Sequence, residues 1–150
     1  MRPSLFEFAG GETAMTRLAA AHHARCVADP ELNHPFSHDD LNPAHVQRLA
    51  AYLGEVLGGP AAYSQACKGD QAGLLTMHSG NGDMGDLGER FLACFVAAMD
   101  DAALPADIEF RTAMRAYMRW AVDDVLAHER PEQVDARARM PRWGWDGRAA

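Results

Sequence analysis

Apolar residues recur at helical spacing along most of the chain, and glycine and proline cut the pattern into blocks. A short block, Phe6-Glu7-Phe8-Ala9, is closed by Gly10-Gly11. Residues 12–28 read as a longer helix with Met15, Leu18, His22 and Cys26 on one stripe. Asp29-Pro30 ends it, since proline lacks an N–H and pushes the residue before it out of the helical region. Residues 30–40, interrupted by Pro35, read as short irregular structure. The next helix opens on Asn42 as N-cap with Pro43 at its first position. It carries Val46, Leu49, Leu53, Val56 and Leu57 as a stripe and stops at Gly58-Gly59-Pro60. Residues 61–88 are looser and hold six glycines, so only Leu74-Leu75-Thr76-Met77-His78 reads as a helical turn there. Two long amphipathic helices follow. Residues 87–103 present Leu87, Phe91, Cys94, Phe95 and Ala98 on one face, and residues 105–128 present Phe110, Met114, Tyr117, Met118, Ala121 and Val125. After Pro131 the period is lost, and residues 131–150 hold Arg137, Arg139, Arg142, Arg148, Trp143 and Trp145. The expectation is an all-α domain over residues 1–130, with about four principal helices. Residues 131–150 form a C-terminal extension, loose or docked by its tryptophans.

Composition agrees with helices. Alanine supplies 28 of 150 residues, whereas Val, Ile and Thr together supply 12, which excludes an all-β fold. Fourteen Lys and Arg against 21 Asp and Glu leave a net charge of −7, which disfavours nucleic acid and anionic membrane surfaces as partners. The longest apolar run, residues 91–99, is too short to cross a bilayer, and no signal peptide is evident. Cys26, Cys67 and Cys94 are odd in number and form no Cys-x-x-Cys, so they read as buried thiols of a reducing cytoplasm.

The seven histidines (22, 23, 34, 38, 45, 78 and 128) carry the functional question. His45 precedes Leu49 and Leu53 by one and two helical turns and so lies on the apolar stripe. It is either a half-buried helix-end residue or a polar group aimed into an apolar cavity. His78 follows two leucines and a methionine just before Ser79-Gly80-Asn81-Gly82, and serves either the helix dipole or a metal. His22 and His23 are consecutive, about 100° apart on a helix, so one of them faces inward. His34, His38 and His128 stand beside Pro35, Asp39 and Glu129 and read as surface residues. Paired Glu-x-x-His segments, His-Glu-x-x-His and phosphate-loop patterns are missing, which removes di-iron, zinc-protease and nucleotide chemistry. One histidine at the edge of an apolar cavity and another opposite it remain.

With these features the sequence resembles a truncated haemoglobin, closest to group II. The resemblance is carried by Phe6-Glu7-Phe8-Ala9-Gly10-Gly11, by Phe36 after Asp29-Pro30-Glu31-Leu32, by Leu57-Gly58-Gly59-Pro60-Ala61-Ala62-Tyr63-Ser64 and by Met77-His78, over roughly residues 5–128. It implies a two-over-two helical sandwich enclosing haem b, with His78 as proximal iron ligand and His45 at the distal position. It places His23 where the family usually has a distal tyrosine, with His22 beside it, and Phe91 where group II proteins carry a tryptophan. Phe36, Leu49, Leu53, Tyr63, Leu74, Met77, Met84 and Phe95 are the implied surroundings, with Met114 and Met118 as further lining, and Lys68 a partner for a haem propionate. Losing the tyrosine and the tryptophan removes two hydrogen-bond donors, which makes the distal pocket atypical. The implied function is binding of O₂, NO, CO or sulfide, with redox turnover of NO or peroxide and a reductase partner, in a cytoplasmic monomer or homodimer. Two rival readings stand beside it: a haem-free helical interaction module with a partner-binding Arg/Trp tail, and a transient haem carrier.

Overall fold

The computed structural model describes residues 2–32, 44–79 and 85–149. Its helices are α1 (Leu5–Ala9), α2 (Gly11–Ala28), α3 (His45–Val56), α4 (Gln71–His78), α5 (Leu87–Asp101) and α6 (Ile108–Ala127). A π-helical turn (Ala62–Ala66) lies between α3 and α4. The expected all-α architecture is what forms: α2 packs most extensively on α3 and next on α5, and α5 packs on α6, giving two helix pairs around one core. A short antiparallel ribbon, β1 (Trp143–Gly144) with β2 (Gly147–Arg148), closes the chain.

The helix ends follow local capping. Ser4 accepts the Glu7 N–H to start α1, and Gly10, at φ 120°, ends α1 and lets α2 begin at once. The second glycine pair, some fifty residues further along the sequence, meets the Ser4 and Phe6 positions in space. Phe6 N–H donates to the Leu57 carbonyl at 2.9 Å. A Cβ on Gly58 would stand 2.7 Å from Ser4 Cβ, and one on Gly59 would stand 2.7 Å from both Phe6 and the Gly54 carbonyl. These glycines let the N-terminal arm lie directly on the end of α3.

Several boundaries differ from the sequence expectation. The turn expected at 74–78 is a full helix from Gln71, because the Asp70 carboxylate caps it through the Gly73 N–H at 2.6 Å. The last long helix begins at Ile108 rather than near Pro105, since Asp107 takes the Phe110 N–H. Arg111 uses its side chain to bond the Pro105 and Leu104 carbonyls of the preceding turn. On α5 the buried face is Leu92, Cys94, Phe95, Ala98 and Met99, so Leu87 and Phe91 sit at its edge. The expected cap Asn42 with Pro43, together with Phe36, His34, His38 and Met84, lies outside the described residues.

The tail beyond α6 packs on the body. Trp143 is 9% exposed and its ring lies 5.8 Å from both Tyr117 and Trp120. Trp145 packs on Phe8 and Phe110, and its Nε1–H donates to the Pro3 carbonyl at 2.8 Å. The Arg2 guanidinium covers the Trp145 ring at 3.5 Å and pairs with Glu109.

Candidate functional site

Three imidazoles converge from three elements. His23 comes from α2, His45 from the first turn of α3 and His78 from the last turn of α4. The His23 and His45 rings are 5.3 Å apart between centroids. Burial holds the His45 pKa below its ordinary value, and the neighbouring His23 and His78 lower it further. His45 is therefore a neutral imidazole near pH 7, with one nitrogen donating and the other accepting.

His78 is oriented by its own helix. Its Nδ1 lies 2.7 Å from the Leu74 carbonyl, and a carbonyl only accepts, so Nδ1 carries the proton. The neutral tautomer then has its lone pair on Nε2, the arrangement that metal-binding histidines show. Leu49 and Leu74, one helical turn from His45 and His78, and Phe91, in ring contact with His22, pack on the core while each keeps part of its apolar surface uncovered. An apolar wall with a lone-pair donor on one side and neutral imidazoles near it suits a flat apolar cofactor that carries a metal. The donor set fits haem.

The adjacent pair is resolved by its neighbours. His23 joins His45, whereas His22 is buried at 1% exposure between α2 and α5. The His22 ring stacks edge-on to Phe91 (4.4 Å) and Phe95 (5.3 Å), and its Nε2–H donates to the Phe91 carbonyl at 3.3 Å. His22 thus supports Phe91 from behind and is not brought together with the other three. Of the remaining expected site residues, Leu53, Tyr63 and Phe95 lie in the core, as do Met114 and Met118. Met77 is 67% exposed, and Lys68 is exposed at φ 56°.

Burial lowers the His22 pKa from 6.5 to about 4. In the unfolded chain this imidazole takes a proton near 6.5, whereas in the folded chain it stays neutral down to about 4. Between those values the unfolded state holds more protons, so the contribution is complete above the upper value and is lost as pH falls to the lower one. About 3 kcal/mol is at stake. Urea unfolding at about pH 7 and about pH 4.5 should therefore show a fall in stability that shrinks by about 2 kcal/mol in His22→Gln. An equal fall in both proteins would remove His22 as its source.

Sequence reasoning missed two polar networks that hold the site's frame. Glu55, 2% exposed, accepts from Ser64 N–H at 2.8 Å and from Ser64 Oγ, which pins the π-helical turn to the end of α3. The signal was a lone carboxylate inside Leu53-Gly54-Glu55-Val56-Leu57. Tyr52 Oη–H donates to Gln71 Oε1 at 2.7 Å, which ties the start of α4 to α3, and Tyr117 of α6 lies beside Tyr52. Burial pushes both phenol pKa values up, which keeps both groups as donors.

Residues 4–124 match the model of a family described as bacterial-like globin. The haemoglobin of the thermophilic phototrophic bacterium Chloroflexus aurantiacus is 28% identical with a TM-score of 0.69, the match covering 83% of this chain and 98% of that one. A thermostable haemoglobin from the actinobacterium Thermobifida fusca is also 28% identical, covering 91% of this chain and 100% of its own at a TM-score of 0.64. The group II truncated haemoglobin of Bacillus anthracis, at 22% identity, 87% and 92% coverage and a TM-score of 0.68, shares the fold. No curated relative matched the sequence.

Proposed function

Since the chain belongs to the bacterial-like globin family and has the two-over-two fold of the truncated haemoglobins, we propose that it carries haem b on His78 and binds a small diatomic or anionic ligand opposite it. The observation that carries this reading is the His78 imidazole, held by Leu74 with Nε2 as its lone-pair atom and electrostatically coupled to His45. When bound, haem supplies an iron centre with a coordination position for O₂, NO, CO or sulfide and the capacity to exchange an electron.

The chain's own residues set what happens there. His45 is kept neutral, so it offers one N–H to a ligand atom that gains negative charge. A hydrogen bond of that kind contributes about 1.5–3 kcal/mol, on the order of 10- to 100-fold in affinity. His23, in ring contact, restricts the orientation of His45. Phe91 donates nothing, so polar selection falls to the two imidazoles, while Leu49, Leu74 and Phe91 exclude water. A neutral His45 would also pass a proton between the two oxygens of a peroxide, which supports peroxide turnover as a side activity.

Absorption spectra of the ferric, ferrous and CO-bound protein test the reading directly. A protein left colourless after reconstitution overturns it in favour of a haem-free interaction module. Haem loss to apomyoglobin within seconds points to a transient carrier. On the distal side, His45→Ala is expected to speed O₂ dissociation at least several-fold, on the order of 10-fold for the loss of one such bond. An unchanged rate moves the donor role to His23. A low-spin ferric spectrum without added ligand would make one of these imidazoles a direct iron ligand, and single substitutions identify which.

A further inference from the structure

Away from the imidazoles, the contact between α2 and α5 holds a second chemical pair. Cys26 on α2 is 1% exposed and Cys94 on α5 is 9% exposed, and they form a small cluster with Leu32, at whose edge Leu87 and Phe91 pack. The two thiols thus belong to one buried cluster where α2 packs on α5. Ion pairs hold that contact on both sides. Arg25 binds Asp101 through two hydrogen bonds of 2.6 and 2.8 Å, and Arg90 binds Asp29 through two of 3.0 and 3.1 Å.

We propose that Cys26 and Cys94 are an oxidative modification site, a thiol pair that hydrogen peroxide converts to an intramolecular disulfide fastening α2 to α5 beside Phe91. Cys94, the less covered thiol, reacts first. Its sulfur takes one oxygen as the peroxide O–O bond breaks, giving a sulfenic acid and one water. The Cys26 sulfur then forms the S–S bond, and the sulfenic oxygen leaves as a second water with the remaining thiol proton. Two thiols are oxidised and one peroxide is reduced to two waters.

Burial raises the pKa of both thiols, so little thiolate exists near neutrality. Reaction therefore follows local opening of the α2–α5 contact, and a formed bond is hidden from reductants in the same way. This is a slow lock. Its reach toward the ligand goes through Phe91, one helical turn before Cys94 and in ring contact with His22, and that part rests on the haem pocket proposed above.

The test uses the full-length, CO-saturated ferrous holoprotein carrying Cys67→Ser, treated with hydrogen peroxide, then denatured and alkylated. The expected product is a monomer about 2 Da lighter that takes up no alkyl group and recovers both thiols with dithiothreitol. Its peptide map shows Cys26 joined to Cys94. Its Tm rises by on the order of 10 °C, and the CO rebinding rate after photolysis differs several-fold between the two forms. Full alkylation of both thiols, sulfinic acids in place of the disulfide, or a bond between chains overturns the site. A disulfide with an unchanged rebinding rate overturns its link to the pocket. If Cys67→Ser does not fold, peptide mapping of the unsubstituted protein decides the site by the same products.

Discussion

His78→Ala is expected to abolish the Soret band of the purified protein, or to leave haem that departs on the order of 100-fold faster or more, while His128→Ala keeps it intact. The comparison is informative because the two histidines look alike locally. Each closes a helix, and each has Nδ1 at 2.7 Å from the carbonyl four residues earlier, Leu74 for His78 and Asp124 for His128. The tautomer is therefore the same in both. What differs is the surroundings. His78 shares its space with His45 and follows the half-covered Leu74, whereas His128 has the Asp124 carboxylate at 3.8 Å. If the local hydrogen bond alone made a haem ligand, both substitutions would matter. Free imidazole added to His78→Ala should restore the spectrum, since it supplies the same lone-pair nitrogen. Far-ultraviolet circular dichroism of the apoprotein should stay unchanged, which separates ligand loss from unfolding.

Trp143→Ala is expected to cost about 3–4 kcal/mol, whereas Trp143→Phe should cost under about 1.5 kcal/mol. Alanine removes a 9%-exposed ring that packs on Tyr117 and Trp120 and leaves a void over α6. Phenylalanine keeps most of that contact. It also deletes the indole Nε1–H, which is buried and has no hydrogen-bond acceptor among the described residues. Removing a buried donor without a partner offsets part of the lost area. For a chain of this size the alanine change should lower the Tm by on the order of 10 °C, and the phenylalanine change by a few degrees. Equal losses would show that the N–H carries the interaction and that packing is secondary.

Helical class and the main helices were legible from the period of apolar residues, because burial on one face leaves a direct imprint on sequence. Helix α4 is longer than its apolar residues suggest. Gly73 looks like a breaker, although the Asp70 carboxylate three residues earlier caps its N–H. The histidines at 45 and 78 could be singled out from their apolar neighbours. Which of His22 and His23 faces the core could not be read, since the answer lies in Phe91 and Phe95 of a helix about seventy residues away. The polar supports were hidden for the same reason. Nothing near Glu55 in sequence announces Ser64, and nothing near Tyr52 announces Gln71 and Tyr117.

The bond from Trp145 to Pro3 joins residues 142 positions apart, so the N-terminal arm and the ribbon lie against each other. Neither segment leaves without breaking contacts of the other. Releasing the N-terminal arm strips Arg2 from the Trp145 ring, and releasing the tail exposes Phe8 and Phe110. In hydrogen exchange the arm and the ribbon should open together as one unit. The loop these contacts close is nearly the whole molecule, so its closure carries a large entropy cost that the packed rings offset.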